Sequence, residues 1–462
     1  MPETKFPDSA TNSNNGSAMS AYSTQYTGSP ALFCQVIETL QQENHQLCIL
    51  HGYKHYPEGI CATSDIDAIS EAPDQVPHIL ASRGTAKVVQ VLQHEATAFS
   101  YTLYRDDEGK PALILLDVSL DYRRNGRVFF TGEEFLQARK SFKFFQIPAT
   151  ELEFAYYVIK KIAKADLQKA HEQRLSELYR EAPERCRAQL KRFFPAAGAA
   201  LIAEAGQNRD WQSVRDQIPD LRQSLLNKVR KANLLNVCGY WVSEVRRLVK
   251  RILQPTGLMI VVLGADGSGK STVITRVRKD LAPAFRQTHY IHLRPRLGKT
   301  TGQDEAPVLD PHGQPPRSWL TSVIKLIYFV LDYGVGYLIK VYPKLVRSTF
   351  VIFDRYYHDL LVDSRRYRYG GPRWWAKLVG RLIPKPDLWI LLDAPAEVLQ
   401  ARKQEVSFEE TARQRKAYLE LVNNLPNAIV VNSAQPLDDV VLDVAKAVLV
   451  HMAKRTQRRL GL

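Results

Sequence analysis

Cysteine is scarce and unpaired in this sequence: Cys34, Cys48, Cys61, Cys186 and Cys238 are scattered through 462 residues, with no Cys-x-x-Cys pair and an odd count. That argues against a disulfide framework and against a zinc site, and it points to a reducing, cytoplasmic compartment. Acidic residues are also short, 48 against 63 Lys and Arg, which leaves a net charge of +15. Such an excess calls for an anionic partner: a nucleotide, a phosphorylated sugar, nucleic acid or an acidic membrane surface. An uninterrupted apolar run long enough to span a membrane is missing too. Val323–Tyr342 is broken by Lys325, Asp332 and Lys340 and contains Gly334 and Gly336, whereas a spanning helix needs about 20 nearly uncharged residues. The expectation is therefore a buried helix of a soluble domain and no transmembrane segment, with peripheral membrane contact left open. The first thirty residues have no apolar core of a signal peptide. Nothing in the pattern speaks to oligomeric state.

What is present centres on Gly257–Leu281. Leu258–Leu263 is an unbroken apolar run, the mark of a strand buried on both faces. Gly264, Ala265, Asp266, Gly267, Ser268, Gly269, Lys270 and Ser271 follow and fit the eight-residue phosphate-loop pattern G-x-x-x-x-G-K-[ST], with Thr272 directly after. Val273, Ile274, Val277 and Leu281 then recur at helical spacing. The glycines let the backbone curl so that successive N–H groups face a polyphosphate, and the helix adds its positive end. Lys270 can reach the β- and γ-phosphates, and the Ser271 hydroxyl is placed for Mg²⁺. The chain is expected to bind a nucleoside triphosphate, ATP, with Mg²⁺.

Further apolar runs follow, alternating with helical patterns, as a parallel sheet of βαβ units requires. One ends in Arg294-Pro295-Arg296, one in Asp354-Arg355-Tyr356, one in Asp393, and the last spans Ala428–Asn432. Asp354 can hold Mg²⁺ opposite Ser271, and Arg355 suits a forked contact to an acceptor's phosphate. Arg365, Arg366, Arg368 and Arg373, beside Gly370-Gly371, form either a phosphate-binding segment or a solvated basic loop.

Ahead of this half, residues 1–28 read as a disordered tail. In residues 29–149, Asp65 and Asp67 share one face of a strand, and Asp117 on another strand can join them around a metal. Residues 150–255 read as a helical connector, opened by a capping box of Thr150 and Glu153. Its last helix, 241–253, carries Arg246, Arg247, Lys250 and Arg251, read as a solvated basic face opposite an apolar stripe.

Residues 256–462, and most clearly 257–455, resemble the thymidylate kinase family of phosphate-loop nucleoside-monophosphate kinases. The likeness rests on GADGSGKST, Arg294-Pro295, the Asp354-Arg355-Tyr356 triplet, and Asp393 leading into a helix with Arg402. It implies a parallel sheet with flanking helices and a Mg²⁺-dependent transfer of the γ-phosphoryl of ATP to a phosphorylated acceptor, nucleotide or sugar. It assigns Lys270 and Ser271 to ATP and Mg²⁺, Arg294 and Arg355 to the acceptor's phosphate, and Arg402, Arg413 and Arg415 to a lid; Arg365 and Arg366 are candidates for the acceptor from the arginine cluster itself. Two features depart from the family: Tyr357-His358-Asp359 follows the triplet, and the lid around Gln404-Glu405-Val406 is short. Residues 30–150 resemble the minimal nucleotidyltransferase fold, an α+β domain, with Gly52-Tyr53 where that family has Gly-Ser. A regulatory or nucleic-acid-associated NTP switch, and a bifunctional enzyme with an active N-terminal domain, stand as alternatives.

Overall fold

The computed structural model describes residues 25–232, 234–296 and 315–462, and the chain divides into two compact units at Arg247/Leu248. Of the expected tail, residues 1–24 lie outside the described residues.

In the first unit a helix over Gly28–Gln42 precedes a five-stranded sheet. The strands are β1 (Leu47–Ile49), β2 (Asp65–Ser70), β3 (Lys87–Glu95), β4 (Ala98–Asp107) and β5 (Lys110–Ser119), in the order β1-β2-β5-β4-β3. β4 and β5 form a hairpin whose two turn residues, Glu108 and Gly109, are both left-handed, the geometry that matches the twist of paired strands. β5 alternates strongly: Ile114, Leu116 and Val118 are buried, while Asp117 faces the other side. β6 (Tyr122–Arg124) pairs with β7 (Arg127–Phe130), and β8 (Arg139–Phe142) with β9 (Phe145–Pro148). A set of helices from Thr150 to Ala232 then packs around a core that includes Phe154, Ile159, Leu175, Tyr179, Leu190 and Trp211 and is shared with Cys48, Ile69 and Phe130 of the sheet region.

One sequence expectation fails in this unit. The capping box at Thr150 does not form: Ala149 is the residue at the helix N-cap and no side chain caps the helix. Glu153 is instead fully buried, accepting hydrogen bonds from Arg174 (2.6 and 3.0 Å) and from the Tyr53 hydroxyl, while Thr150 donates to Glu181 at 2.6 Å. A buried carboxylate needs a cation more than a helix end needs a cap. In the helix Leu234–Leu253, apolar Trp241, Val242 and Val245 face solvent, and Arg247 donates to the carbonyls of Gln93 and His94.

The second unit is a mixed α/β fold on a parallel sheet. Its strands are β10 (Leu258–Leu263), β11 (Gln287–His292), β12 (Thr349–Asp354), β13 (Leu388–Asp393) and β14 (Ala428–Asn432), ordered β11-β12-β10-β13-β14. Every residue of β10 and β12 is buried, whereas the edge strands β11 and β14 are partly exposed, which is why the inner strands read as continuous apolar runs. From β10 the chain crosses to one side of the sheet and later returns to fill the other. The carboxyl ends of β10, β12 and β13 thus flank a switch point, where open sheets of this kind leave a crevice for ligands. The closing helix Leu437–Leu460 is tied back by buried Arg455, which donates to the Gly257 carbonyl at 2.7 Å.

The apolar segment expected as a buried helix is buried on one side only. It runs as a helix over Trp319–Gly336, a π turn over Tyr337–Val341 and a last helical turn over Tyr342–Val346, and one third of its most apolar window lies inside the fold. Lys325, Asp332 and Lys340, which interrupt the run, bond inward to the Tyr367 carbonyl, Arg294 and the Arg296 carbonyl.

Candidate active site

β10 ends at Leu263 and the chain turns through three glycines into the helix Lys270–Asp280. Gly267 and Gly269 hold φ of 84° and 83°, a region closed to most side chains, and around Gly269 there is open space where a Cβ would stand. Open volume at a left-handed glycine just before a helix N-terminus is what an incoming phosphate needs. Lys270 folds back over the loop, donating to the carbonyls of Gly264 (2.8 Å) and Ala265 (2.9 Å). Its burial, reinforced by the positive charge of Arg355, lowers the ammonium pKa to about 8.

Residues from β12 face the loop because the strands are in register, Val262 beside Asp354 and His292 beside Asp354. Ser271 donates to Asp354 Oδ2 at 3.4 Å and the Tyr290 hydroxyl donates to the same oxygen at 3.1 Å. Asp354 Oδ1 is buried with no hydrogen-bond partner. An orphaned carboxylate oxygen beside a serine hydroxyl is a donor set that suits a hard divalent cation. Among the described residues no group of three or more His, Cys, Asp or Glu is arranged to hold a metal. A cation here would therefore complete its shell with substrate phosphates and water, the usual manner of Mg²⁺.

Arg355 is left-handed, with φ of 68°, a conformation that costs energy in a non-glycine residue and is held by its surroundings. Its amide donates to the Val262 carbonyl (3.1 Å), and its guanidinium pairs with Asp266 of the loop and with buried Asp359 (3.2 Å). Arg366 grips the second oxygen of Asp266 and also pairs with Glu405 at 3.5 Å. Burial disfavours the charge on Asp266, but Arg355, Lys270 and Arg366 outweigh it and hold the carboxyl well below its usual range. One carboxylate thus gathers two arginines and a lysine at the mouth of the loop, occupying their charge as a phosphate would.

The remaining expected residues are more dispersed. Arg294 pairs with fully buried Asp332 (3.3 Å) and lies over the Tyr328 ring, directed at the helix Trp319–Gly336. Arg365 is exposed. Arg402 is exposed and donates to the Ser433 carbonyl (2.8 Å), while Arg415 makes a forked pair with Asp393 (2.8 and 2.9 Å) and Arg413 pairs with Glu410. Sequence reasoning passed over Tyr290, Asp359 and Glu405. For Asp359 a signal existed, since it stands four residues after Arg355.

In the first unit Asp67 and Asp117 are paired across β2 and β5, with Asp65 two residues before Asp67. Asp67 is already matched by Lys160 and His51, each 2.7 Å from Oδ2. Burial opposes its charge, yet these two partners keep the carboxyl well below its usual range. Burial raises Asp117 to about 6, helped by the charges of Asp65 and Asp67, and its Oδ1 has no partner. A cleft of about 420 Å³ is lined by the three aspartates with Arg123, Arg124, Lys160 and Lys164. Tyr53, standing where a serine was expected, packs its ring against Phe142 and bonds to Glu153, which makes it part of the core.

Residues 262–444 match the family model described as thymidylate kinase. Residues 262–444 form a thymidylate kinase-like domain. Similar proteins include "Probable thymidylate kinase 1" of Saccharolobus solfataricus, 26% identical over 196 residues covering 41% of this chain and 96% of the relative. The thymidylate kinase of Photobacterium profundum is 28% identical over 209 residues, 42% of this chain and 96% of the relative. That of Vibrio parahaemolyticus is 29% identical over 205 residues, 41% and 93%. The thymidylate kinase-like domain makes this chain a phosphotransferase of the kinase type, while the first unit lies outside the matched region.

Proposed function

We propose that the thymidylate kinase-like domain transfers the γ-phosphoryl group of ATP to a phosphorylated acceptor, a nucleoside monophosphate or a sugar phosphate. The observation that carries this reading is the open glycine cradle before Lys270, faced by Asp354 and Arg355 from the adjoining strand end. In this reading Lys270 turns from the loop carbonyls to the β- and γ-phosphates. Arg355 and Arg366, now neutralised by Asp266, exchange that carboxylate for phosphate oxygens as substrate enters. Ser271 and Asp354 would hold Mg²⁺, whose charge would offset that on the transferring group. The acceptor's phosphate is the natural ligand for Arg355, and Arg294, Arg365 and Arg402 are further candidates, Arg294 only once released from Asp332. Positioning and charge neutralisation suffice for in-line transfer without a covalent intermediate.

The test is ADP formation from ATP and Mg²⁺ against thymidylate, other nucleoside monophosphates and sugar phosphates, comparing wild type with Lys270→Ala. An acceptor-dependent rate lost in the variant supports the kinase and identifies its substrate. ATP bound tightly with every acceptor inert overturns it in favour of a nucleotide-dependent switch.

A second reading gives the first unit, residues 29–149 with the helical stretch 150–255 as its connector, a nucleotidyl transfer of its own. The three-aspartate cleft beside four cations favours it, and the Lys160–Asp67 pair, which a metal would have to displace, weighs against it. Pyrophosphate release abolished by Asp65→Ala but kept in Lys270→Ala would establish it; no release from wild type removes it.

A further inference from the structure

Among the described residues of the second unit, two carboxylates keep a buried oxygen with no hydrogen-bond partner, those of Asp354 and Asp359. A divalent cation accounts for the first, and the second has no part in the reading so far. Asp359 opens the single helical turn Asp359–Val362 and is itself buried. Its Oδ2 accepts from Arg355 at 3.2 Å, and the Tyr367 hydroxyl lies 3.5 Å from the same oxygen, while Oδ1 is left open. Neighbouring acids are satisfied. Asp363 accepts from Gln414 and from the Arg366 amide, each at 3.1 Å, and Asp332 is paired with Arg294. A buried oxygen left open beside acids that are all paired calls for a donor from outside the chain.

The phosphate loop is close by. The Arg355 guanidinium bonds Asp266 of the loop through one nitrogen and Asp359 through another, so the two carboxylates stand a guanidinium's width apart. The charge of Lys270 acts on Asp359 as well. Lys270, Asp354 and Asp359 are all buried while Asp266 holds Arg355 and Arg366. Phosphates that take those arginines from Asp266 would uncover the three together.

We propose that Asp359 accepts the proton of an acceptor hydroxyl, which makes the acceptor an alcohol group of a sugar phosphate and not the phosphate of a nucleoside monophosphate. The inference rests on the kinase reading of this site and selects between its two acceptors. Charge decides between them. A phosphate monoester, with a second pKa of about 6, is already ionised at neutral pH, needs no base and is repelled by a facing carboxylate. A hydroxyl still carries its proton, must lose it as it bonds to phosphorus, and supplies the donor that Oδ1 lacks. In that step the hydroxyl oxygen bonds to the γ-phosphorus. The bond from that phosphorus to the β–γ bridging oxygen breaks, and its electron pair stays on ADP. The hydroxyl proton passes to Asp359, which returns it to water when the product leaves. Burial raises the Asp359 carboxyl above its usual range, and Arg355, Lys270 and the Tyr418 hydroxyl pull it back only in part, so the group is a stronger base than a solvated aspartate. Arg355 stays on Oδ2, and Arg366 is free for the acceptor's own phosphate.

The test is phosphorus NMR of the products that the full chain makes from ATP and Mg²⁺ with thymidylate, cytidylate, and glucose, mannose and ribose phosphates, alongside the kinetics of Asp359→Asn. A new phosphomonoester on a sugar phosphate is expected, with both nucleotides inert. Asp359→Asn keeps an oxygen for Arg355 but takes no proton, so kcat should fall at least about a hundredfold while both KM values stay within about threefold. Conversion of thymidylate or cytidylate to its diphosphate, or a sugar diphosphate joined through P–O–P, overturns the inference and leaves the kinase standing. So does an Asn variant that keeps the wild-type kcat, or one that raises only the acceptor's KM, which reduces Asp359 to positioning Arg355. The wild-type product spectrum decides by itself if the Asn variant does not fold. No product from any acceptor, with ATP still bound, removes the kinase reading and this inference with it.

Discussion

The buried lysine of the phosphate loop should make nucleotide affinity depend on pH in a range where an ordinary lysine would not. With no phosphate present, Lys270 titrates at about 8 instead of 10.5, because burial and the facing Arg355 penalise its charge. Its protonated form is the one that attracts a triphosphate. With that value roughly nine tenths of the molecules carry the proton at pH 7 and roughly one tenth at pH 9, so affinity for ATP should fall about tenfold, about 1.4 kcal/mol, between those limits. Binding at pH 9 should then draw up close to one proton per site, visible in titration calorimetry as a heat that scales with buffer ionisation enthalpy. Since the folded pKa lies below the unfolded one, the unfolded chain binds more protons between about pH 8 and 10.5. The burial penalty on the unliganded unit is accordingly full below pH 8 and is relieved as pH rises through that window. Lys270→Arg, whose guanidinium does not titrate there, should keep a flat profile, and Lys270→Ala should bind weakly throughout. Equal affinity of the wild type at pH 7 and 9, with no proton uptake, would refute the argument.

Three other outcomes follow from the same contacts. Ser271→Ala and Asp354→Asn should each raise the Mg²⁺ concentration for half-maximal turnover by roughly tenfold or more, while nucleotide binding in EDTA stays near wild type; a magnesium titration of the rate checks this. Glu153→Ala should destabilise the first unit by about 3 kcal/mol in a urea melt, because it leaves Arg174 and Tyr53 without their buried acceptor. Asp117→Asn should stabilise that unit by about 1–2 kcal/mol at pH 7. The wild-type carboxyl, raised to about 6 by burial, costs stability as pH climbs from about 4 to 6, so the gain should vanish at pH 3.5.

The second unit was legible in the sequence to the extent that its physics is local. β10 and β12 are buried on both faces, so β10 appears as six consecutive apolar letters and β12 as four, Phe350–Phe353, and the loop between β10 and its helix needs glycine at fixed places. The Arg355–Asp266–Arg366 cluster was not legible, because it joins residues 89 and 100 positions apart and only the sheet register brings them together. The same holds for Glu153, whose spacing from Thr150 suggested a local cap while its true partners, Tyr53 and Arg174, are 100 and 21 residues away. Asp67 illustrates the opposite hazard. Its place two residues after Asp65 suggested a metal, and the lysine that meets it comes from a helix 93 residues on.

The segment Val323–Tyr342 misled for a different reason, one of geometry and not of distance. Three charges in the apolar run argue against a spanning helix, and a buried helix was the expectation that followed. At 100° per residue, Lys325, Asp332 and Lys340 fall within about 80° of arc, so they share a single side. That side is the inner one, where a carbonyl of the Arg366-to-Arg368 segment, the Arg294 guanidinium and the carbonyl of Arg296 receive them. The apolar row at Leu320, Ile324, Ile327, Leu331 and Leu338 is left on the opposite side, unbroken. In water that polarity is inverted: the fold has spent its charges inside and turned its leucines and isoleucines out. A contiguous exposed apolar row of this kind marks an interaction surface. The one-sided grouping of the three charges was therefore present in the sequence, and counting interruptions along the chain concealed what counting them around the helix reveals.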